Sequence, residues 1–242
     1  MAATLYALPA SHPCACIELA LKLKGIAYER VDMVQLMHKA LQQARFGGTT
    51  VPGLILDGEK ILGSRRIVRA LEERVPEPPL LPAGGEERRT VELAEEWGDQ
   101  VLQPLARRIV WAALARDTSA IESYSAGAKL PVPPVIARLT APLVARAEIR
   151  VQQASDANVR ADLINLDRHA QRVERWIEQG TLDGEQPNAA DLQIGAGVRL
   201  LLTLDDIAAK LDGRPAAGLA RRWFPDYPGR TPAGALPAAW LA

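Results

Sequence analysis

Residues 76–85, PEPPLLPAGG, split this chain into two stretches that obey different rules. Four prolines and two glycines in ten residues can extend neither a helix nor a strand, so the segment reads as a connection. Before it, strand and helix patterns alternate. ATLYAL (3–8) is short, apolar and β-prone, and PCACIELALKLKG (13–25) has proline in its first turn, apolar residues at helical spacing and a glycine stop. AYERVDM (27–33) reads as a second strand and QLMHKALQQARFGG (35–48) as a helix ended by a glycine pair. VPGLIL and EKIL flank Asp57-Gly58, a two-residue hairpin signal. Ser64 is the expected cap of a last helix, RRIVRALEERV. The order is β-α-β-α-β-β-α, which predicts a mixed sheet with helices on both faces.

After the divider no strand pattern is convincing. Residues 86–117 read as one long helix bent at Pro104, and residues 132–154 and 159–180 as amphipathic helices. PNAADLQIGAGVRLLLTL (187–204) is apolar on most sides and reads as a central buried helix, with Asn188 and Asp191 as its capping pair. The expected units are residues 1–76, a linker at 77–85, and an all-helical unit at 86–242.

Composition narrows the function classes. Hydrophobic residues make 48% and charged residues 24%, and Lys+Arg and Asp+Glu both number 29. A net charge of zero argues against nucleic acid or an anionic membrane as the main partner. No secretory leader opens the sequence and Arg138, Arg146 and Arg150 interrupt its longest apolar stretch, so a cytoplasmic protein is expected. Two cysteines in 242 residues are no disulfide framework. Cys14 and Cys16, two apart on a helix, point to different sides, which disfavours both a disulfide and a shared metal. They are expected to be buried thiols. His12, His38 and His169 are scattered without zinc spacing, so no metal is expected.

Four segments in the same order resemble the cytosolic glutathione S-transferase superfamily. LYALPASHPCA looks like the β1–α1 turn of its serine-type, delta/theta-like classes, and TVPGL looks like its V-P-x-L segment with a cis proline at Pro52. LGSRRIVRALEER is similar to its E-S-R-A-I segment, and PNAADLQIG to its capping-box helix. The resemblance implies a thioredoxin-like α/β domain followed by a helical bundle. It also implies an enzyme that binds glutathione or another low-molecular-weight thiol and adds it to a small electrophile, with detoxification as the usual setting. Isomerisation, dehalogenation and peroxide reduction are variants of the same thiol chemistry, and a non-catalytic ligand- or protein-binding member is the alternative.

The same resemblance assigns roles. Ser11 would be the catalytic hydroxyl, donating a hydrogen bond to the bound thiolate at a helix N-terminus; otherwise it merely caps that helix. One charge-assisted bond contributes about 1.5–3 kcal/mol, enough to lower a thiol pKa by roughly one to two units. Val51 and Pro52 would present backbone groups to the thiol, and Gly63, Ser64 and Arg65 would surround its γ-glutamyl end. Trp97, Val101, Arg108 and Trp111, with Ala115, recur at three- to four-residue spacing and would line the second-substrate pocket, or simply pack the core. The family pattern implies a homodimer, with Arg65, Arg66 and Arg69 near the seam and Glu95 or Asp99 facing them. One position departs from the pattern. Gly63 stands where the family carries Glu or Gln to hold the glutathione ammonium, so an N-acylated thiol such as mycothiol is also a candidate.

Overall fold

The computed structural model describes residues 1–129 and 133–241. The helix expected from Val132 therefore starts outside the described residues. In chain order the first part holds β1 (Ala3–Ala7), α1 (His12–Leu23), β2 (Glu29–Asp32), α2 (His38–Phe46), β3 (Gly53–Leu56), β4 (Glu59–Leu62) and α3 (Ser64–Arg74). Then come α4 (Gly85–Trp97), α5 (Gln103–Arg116), α6 (Ile121–Tyr124), α7 (Pro134–Val151), α8 (Asp156–Ile164) and α9 (Leu166–Glu178). The chain ends with α10 (Ala189–Leu201), α11 (Asp205–Leu211), α12 (Pro215–Trp223) and α13 (Ala238–Leu241). The second half contributes no strand among the described residues, only an isolated bridge between Leu204 and Thr231.

The sheet runs β2-β1-β3-β4, with β1 and β2 parallel and the other pairs antiparallel. Alternation puts Leu5, Ala7, Leu54 and Leu56 into the core. The β3–β4 turn has both central residues at positive φ, Asp57 at 49° and Gly58 at 88°, as a tight hairpin of this hand requires. Val51-Pro52 is cis as expected, and Glu77-Pro78 is cis as well.

Two helical expectations need correction. Ser64 does not cap α3: Gly63 holds the cap position at φ 94°, ψ 140°, and Ser64 is the first helical residue, buried. That backbone conformation suits glycine and disfavours any side chain. The long helix over 86–117 is broken before Pro104, not at it. A π turn spans Gly98–Leu102, and the Gln103 N–H reaches back five residues to the Gly98 carbonyl. Pro104 lacks the N–H that would have bonded the Gln100 carbonyl, which favours the wider turn. Gly98 also lets α10 approach closely, since a Cβ there would sit 2.9 Å from Ile194 Cγ1.

The connection at 77–85 is fastened to both halves. Lys24, buried at the end of α1, pairs with Glu72 and donates to the carbonyl of Pro78 at 2.7 Å. Glu72 accepts the Leu80 N–H at 2.7 Å, and the Leu80 carbonyl accepts the Ala189 N–H at 2.7 Å. One apolar core runs from Leu5 and Ile17 through Ile109 to Ile194. Within it α10 carries its expected capping box, Asn188 Oδ1 accepting from Asp191 N and Asp191 Oδ2 from Asn188 N. Among the described residues no helix is long and apolar enough to cross a membrane.

Candidate functional site

A cleft of about 400 Å³ opens between the sheet's first loop, the α2 region and the helices α5 and α7. β1 delivers the chain to its edge at Pro9 and Ala10. Ala10 sits at φ 51°, a left-handed conformation unusual for alanine, and turns the chain into α1. Ser11 occupies the cap position of α1 in extended geometry, yet its side chain makes no capping bond. Ser11 and Val51 both line the cleft. Pro13 has no N–H, so the open donors of the first turn are His12 and Cys14.

The Val51 backbone N–H and C=O make no hydrogen bond among the described residues. The Gly63 N–H donates to the Pro52 carbonyl at 2.9 Å, so the start of α3 lies against the Val51–Pro52 segment. Of the expected thiol-binding residues, Ser11 and Val51 line the cleft, while Pro52, Gly63, Ser64 and Arg65 do not. Arg65 is committed elsewhere. Its Nε lies 3.4 Å from Glu95 Oε2, while Arg69 holds the same carboxylate through both terminal nitrogens. Glu95 is buried and occupied within its own chain, which corrects the expectation that it faces arginines across a subunit seam.

The second-substrate stripe also needs correction. Trp111 lines the cleft, but Trp97, Val101 and Arg108 do not. Trp97 is buried against His169 and Trp176, Val101 is exposed, and Arg108 grips Asp162 at 2.6 and 2.8 Å. The π turn explains the separation: its extra residue rotates α4 against α5, so a stripe drawn at constant helical spacing crosses two faces. The face of α5 that meets the cleft is Arg107, Val110, Trp111 and Leu114.

Both cysteines are buried and free. Burial pushes the Cys14 thiol up to about 12, although the Ser11 hydroxyl and the Leu8 backbone pull it partly back. At neutral pH it is a thiol, not a nucleophile. Cys16 Sγ lies 3.6 Å from Gln193 Oε1 and joins α1 to α10. Among the described residues no cluster of His, Cys, Asp or Glu could hold a metal.

Several cleft residues were missed by spacing arguments. His12, His38 and Glu148 are buried and line it, and each has a side-chain atom without a hydrogen-bond partner among the described residues. Arg107, half-buried, has its Nε sealed in the same way. Burial holds the His12 imidazole well below its ordinary value, and the Arg107 charge pushes the same way. Tyr227, far along the chain, donates its hydroxyl to the Ala10 carbonyl at 2.6 Å beside the cleft edge. One signal was available for Glu148. On α7 it follows Ala141 and Ala145 at i+7 and i+3, a carboxylate on an otherwise small apolar face.

Residues 5–79 match the family model described as Glutathione S-transferase, N-terminal domain. No curated protein matches the chain. Among solved structures, a glutathione S-transferase from Rhodospirillum rubrum F11 superposes with a TM-score of 0.64 at 20% identity, covering 96% of this chain and 97% of that one. Maleyl pyruvate isomerase, a bacterial zeta-class glutathione S-transferase, gives 0.61 at 18% identity over 90% of each chain. A glutathione S-transferase from Methylobacterium radiotolerans, in complex with glutathione sulfonate, gives 0.54 at 20% identity over 93% of this chain and 91% of that one. This chain therefore carries a glutathione S-transferase N-terminal domain and folds as those proteins do, a thioredoxin-like unit followed by a helical one.

Proposed function

We propose that this protein is a serine-type, glutathione S-transferase-like enzyme that activates a low-molecular-weight thiol for attack on a small electrophile. The observation that carries the reading is Ser11: a hydroxyl at the first turn of α1, not used as a cap, on the wall of a cleft. A thiol laid along Val51 and Pro52 would bring its sulfur to that hydroxyl and to the open N–H groups of α1. Both favour the thiolate, the first by one charge-assisted bond and the second by the positive end of the helix. Ser11 holds the nucleophile and does not attack. Apolar walls, Trp111 and Val110 among them, would exclude water from the reacting sulfur.

The neighbour solved with glutathione sulfonate supports glutathione as the first thiol to try. Gly63 supports a thiol without a free ammonium, such as mycothiol, because it offers that cation no side chain. Calorimetric titration with glutathione and with an N-acylated thiol separates the two, and turnover of an activated aryl chloride with the thiol that binds tests the enzyme. If neither thiol binds, the reading fails and a non-catalytic role takes its place.

A cytoplasmic homodimer is part of the same proposal. Its support is α7, which exposes Val135, Leu139 and Leu143 at i, i+4 and i+8, an apolar strip that a second copy would cover.

A further inference from the structure

The helix α9 sorts its charges by side. Arg168, Arg172 and Arg175 lie within about 60° of one another around its axis, and all three are exposed. Its acids lie about 100° round from them. Arg214, at the start of α12, gathers Asp167 and Glu174, and Glu178 follows Glu174 by one turn on that same side. The acids of the adjoining elements are engaged as well. Asp162 of α8 grips Arg108, and on the last two turns of α4 Glu92 meets Arg88, Glu95 meets Arg69 and Glu96 accepts from Gln100. Arg168, Arg172 and Arg175 make no ion pair or hydrogen bond among the described residues. A solvated face of ordinary kind mixes its signs, as α4 does with Arg88 beside Glu92 and Arg89 beside Glu86.

Arg172 is oriented although it has no counter-charge. Its guanidinium carbon lies 5.3 Å from the centre of the Trp97 ring and 4.9 Å from that of Trp176, and the two indoles meet edge to face at 5.3 Å. Stacked in this way, the guanidinium keeps the N–H groups at its edges for an outside acceptor. Arg172, Arg175, Trp176 and Gln179 line a pocket of about 250 Å³. Burial and the like charges of Arg175 and Arg168 lower the Arg172 pKa, and an anion at this place would relieve that repulsion.

The occupant follows from charge and spacing. The rise from Arg168 to Arg175 is about 10 Å, too long for one small anion to meet all three. Acidic side chains on one side of an extended chain recur at about 7 Å, which suits the row. Arginine and tryptophan are also the side chains that protein interfaces favour at their centre. A net charge of zero disfavours nucleic acid. We propose that the Arg168, Arg172 and Arg175 face of α9 docks an acidic segment of a partner protein, one carboxylate entering the pocket lined by Arg172 and Arg175 and an apolar neighbour resting against Trp176. None of these residues lines the cleft, so the docking face stands independently of the thiol reading.

The test is fluorescence anisotropy on the full chain, with a labelled peptide of about eight glutamates and its glutamine counterpart at about 0.15 M salt. The acidic peptide should bind at least about tenfold more tightly than the neutral one. Arg172→Gln and Arg175→Gln should each weaken it about fivefold or more. Arg172→Lys keeps the charge but loses the stacked fork, and should weaken it too. Arg138→Gln and Arg146→Gln, at exposed arginines of α7, should leave it unchanged. Arg175 makes no ring contact among the described residues, so its variant reads the docking even if Arg172→Gln unsettles the indoles. Equal affinity for both peptides, an equal loss in the α7 variants, or unchanged affinity in Arg175→Gln overturns the proposal. Full competition by inorganic phosphate at low millimolar concentration marks a small-anion seat. Tighter binding of a short single-stranded DNA through the same arginines marks a nucleic-acid face, and loss of self-association in Arg175→Gln marks a contact with a second copy. Each of these three results overturns it as well.

Discussion

Tyr227 donates its hydroxyl to the carbonyl of Ala10 at 2.6 Å, across 217 positions of sequence. Ala10 is the left-handed residue immediately before Ser11. A residue near the C-terminus thus braces the turn at which the chain enters α1, one residue before Ser11. Tyr227→Phe keeps the ring and removes the bond. It should lower stability by about 1 kcal/mol and weaken thiol binding, with turnover at saturating thiol changed less than KM. Chemical denaturation and a thiol titration read the two effects; a variant equal to the natural protein in both would release Tyr227 from this role.

Gly63 answers to backbone geometry as well as to ligand chemistry. At φ 94° it lies where side chains are strained, although a Cβ there would meet nothing within 4 Å. Gly63→Ala should therefore destabilise by about 1–3 kcal/mol through conformation alone. Urea midpoints measure this, and an unchanged midpoint would mean that the turn relaxes freely. Gly63→Glu carries the same penalty before any gain in ammonium binding.

The pH profile should bear the mark of His12. Burial depresses its pKa from an ordinary 6.5, so the folded state takes up fewer protons than the unfolded state below that value. Its contribution is present above about pH 6.5 and is lost as pH falls. His38 and His169 are depressed by burial too and add to the slope. Asp191, raised by burial to about 6, runs the other way and loses stability as pH rises toward that value. The difference between the natural protein and His12→Gln isolates one histidine. Melting curves over this range should show a shallower acid-side loss in the variant, and parallel profiles would contradict the burial argument.

Self-association should depend on α7. Leu139, 74% exposed, is the most open residue of its apolar strip. Leu139→Glu places a charge at the centre of that strip and should shift a dimer toward monomer in sedimentation at micromolar concentration. A natural protein that is already monomeric there, or a variant that dimerises equally, would move the interface elsewhere.

The sheet was legible because its signals are local. Asp57-Gly58 dictates a turn, Gly25 a helix stop, and Asn188 with Asp191 a helix start, each within a few residues. The cleft was legible only at Ser11, Val51 and Trp111. Trp97, Val101 and Arg108 were misplaced because a helical stripe presumes constant twist, and the π turn at Gly98–Leu102 changes it. Ser64 looked like a cap because serine favours that place, but the positive φ of its neighbour gave the place to glycine. His12, Arg107 and Glu148 come together on the cleft only in three dimensions. Arg107 and Glu148 each have a partner four residues away, Gln103 and Gln152, but no spacing along the chain joins them to one another or to His12.

The central claim is that Ser11 stabilises a bound thiolate. Thiolate absorbance of the bound thiol, followed against pH for the natural protein and for Ser11→Ala, tests it most directly. The account predicts that the variant folds normally and raises the bound pKa by about one to two units, the loss of one charge-assisted hydrogen bond. Superimposable titration curves would contradict it and leave the thiolate to the backbone N–H groups of α1.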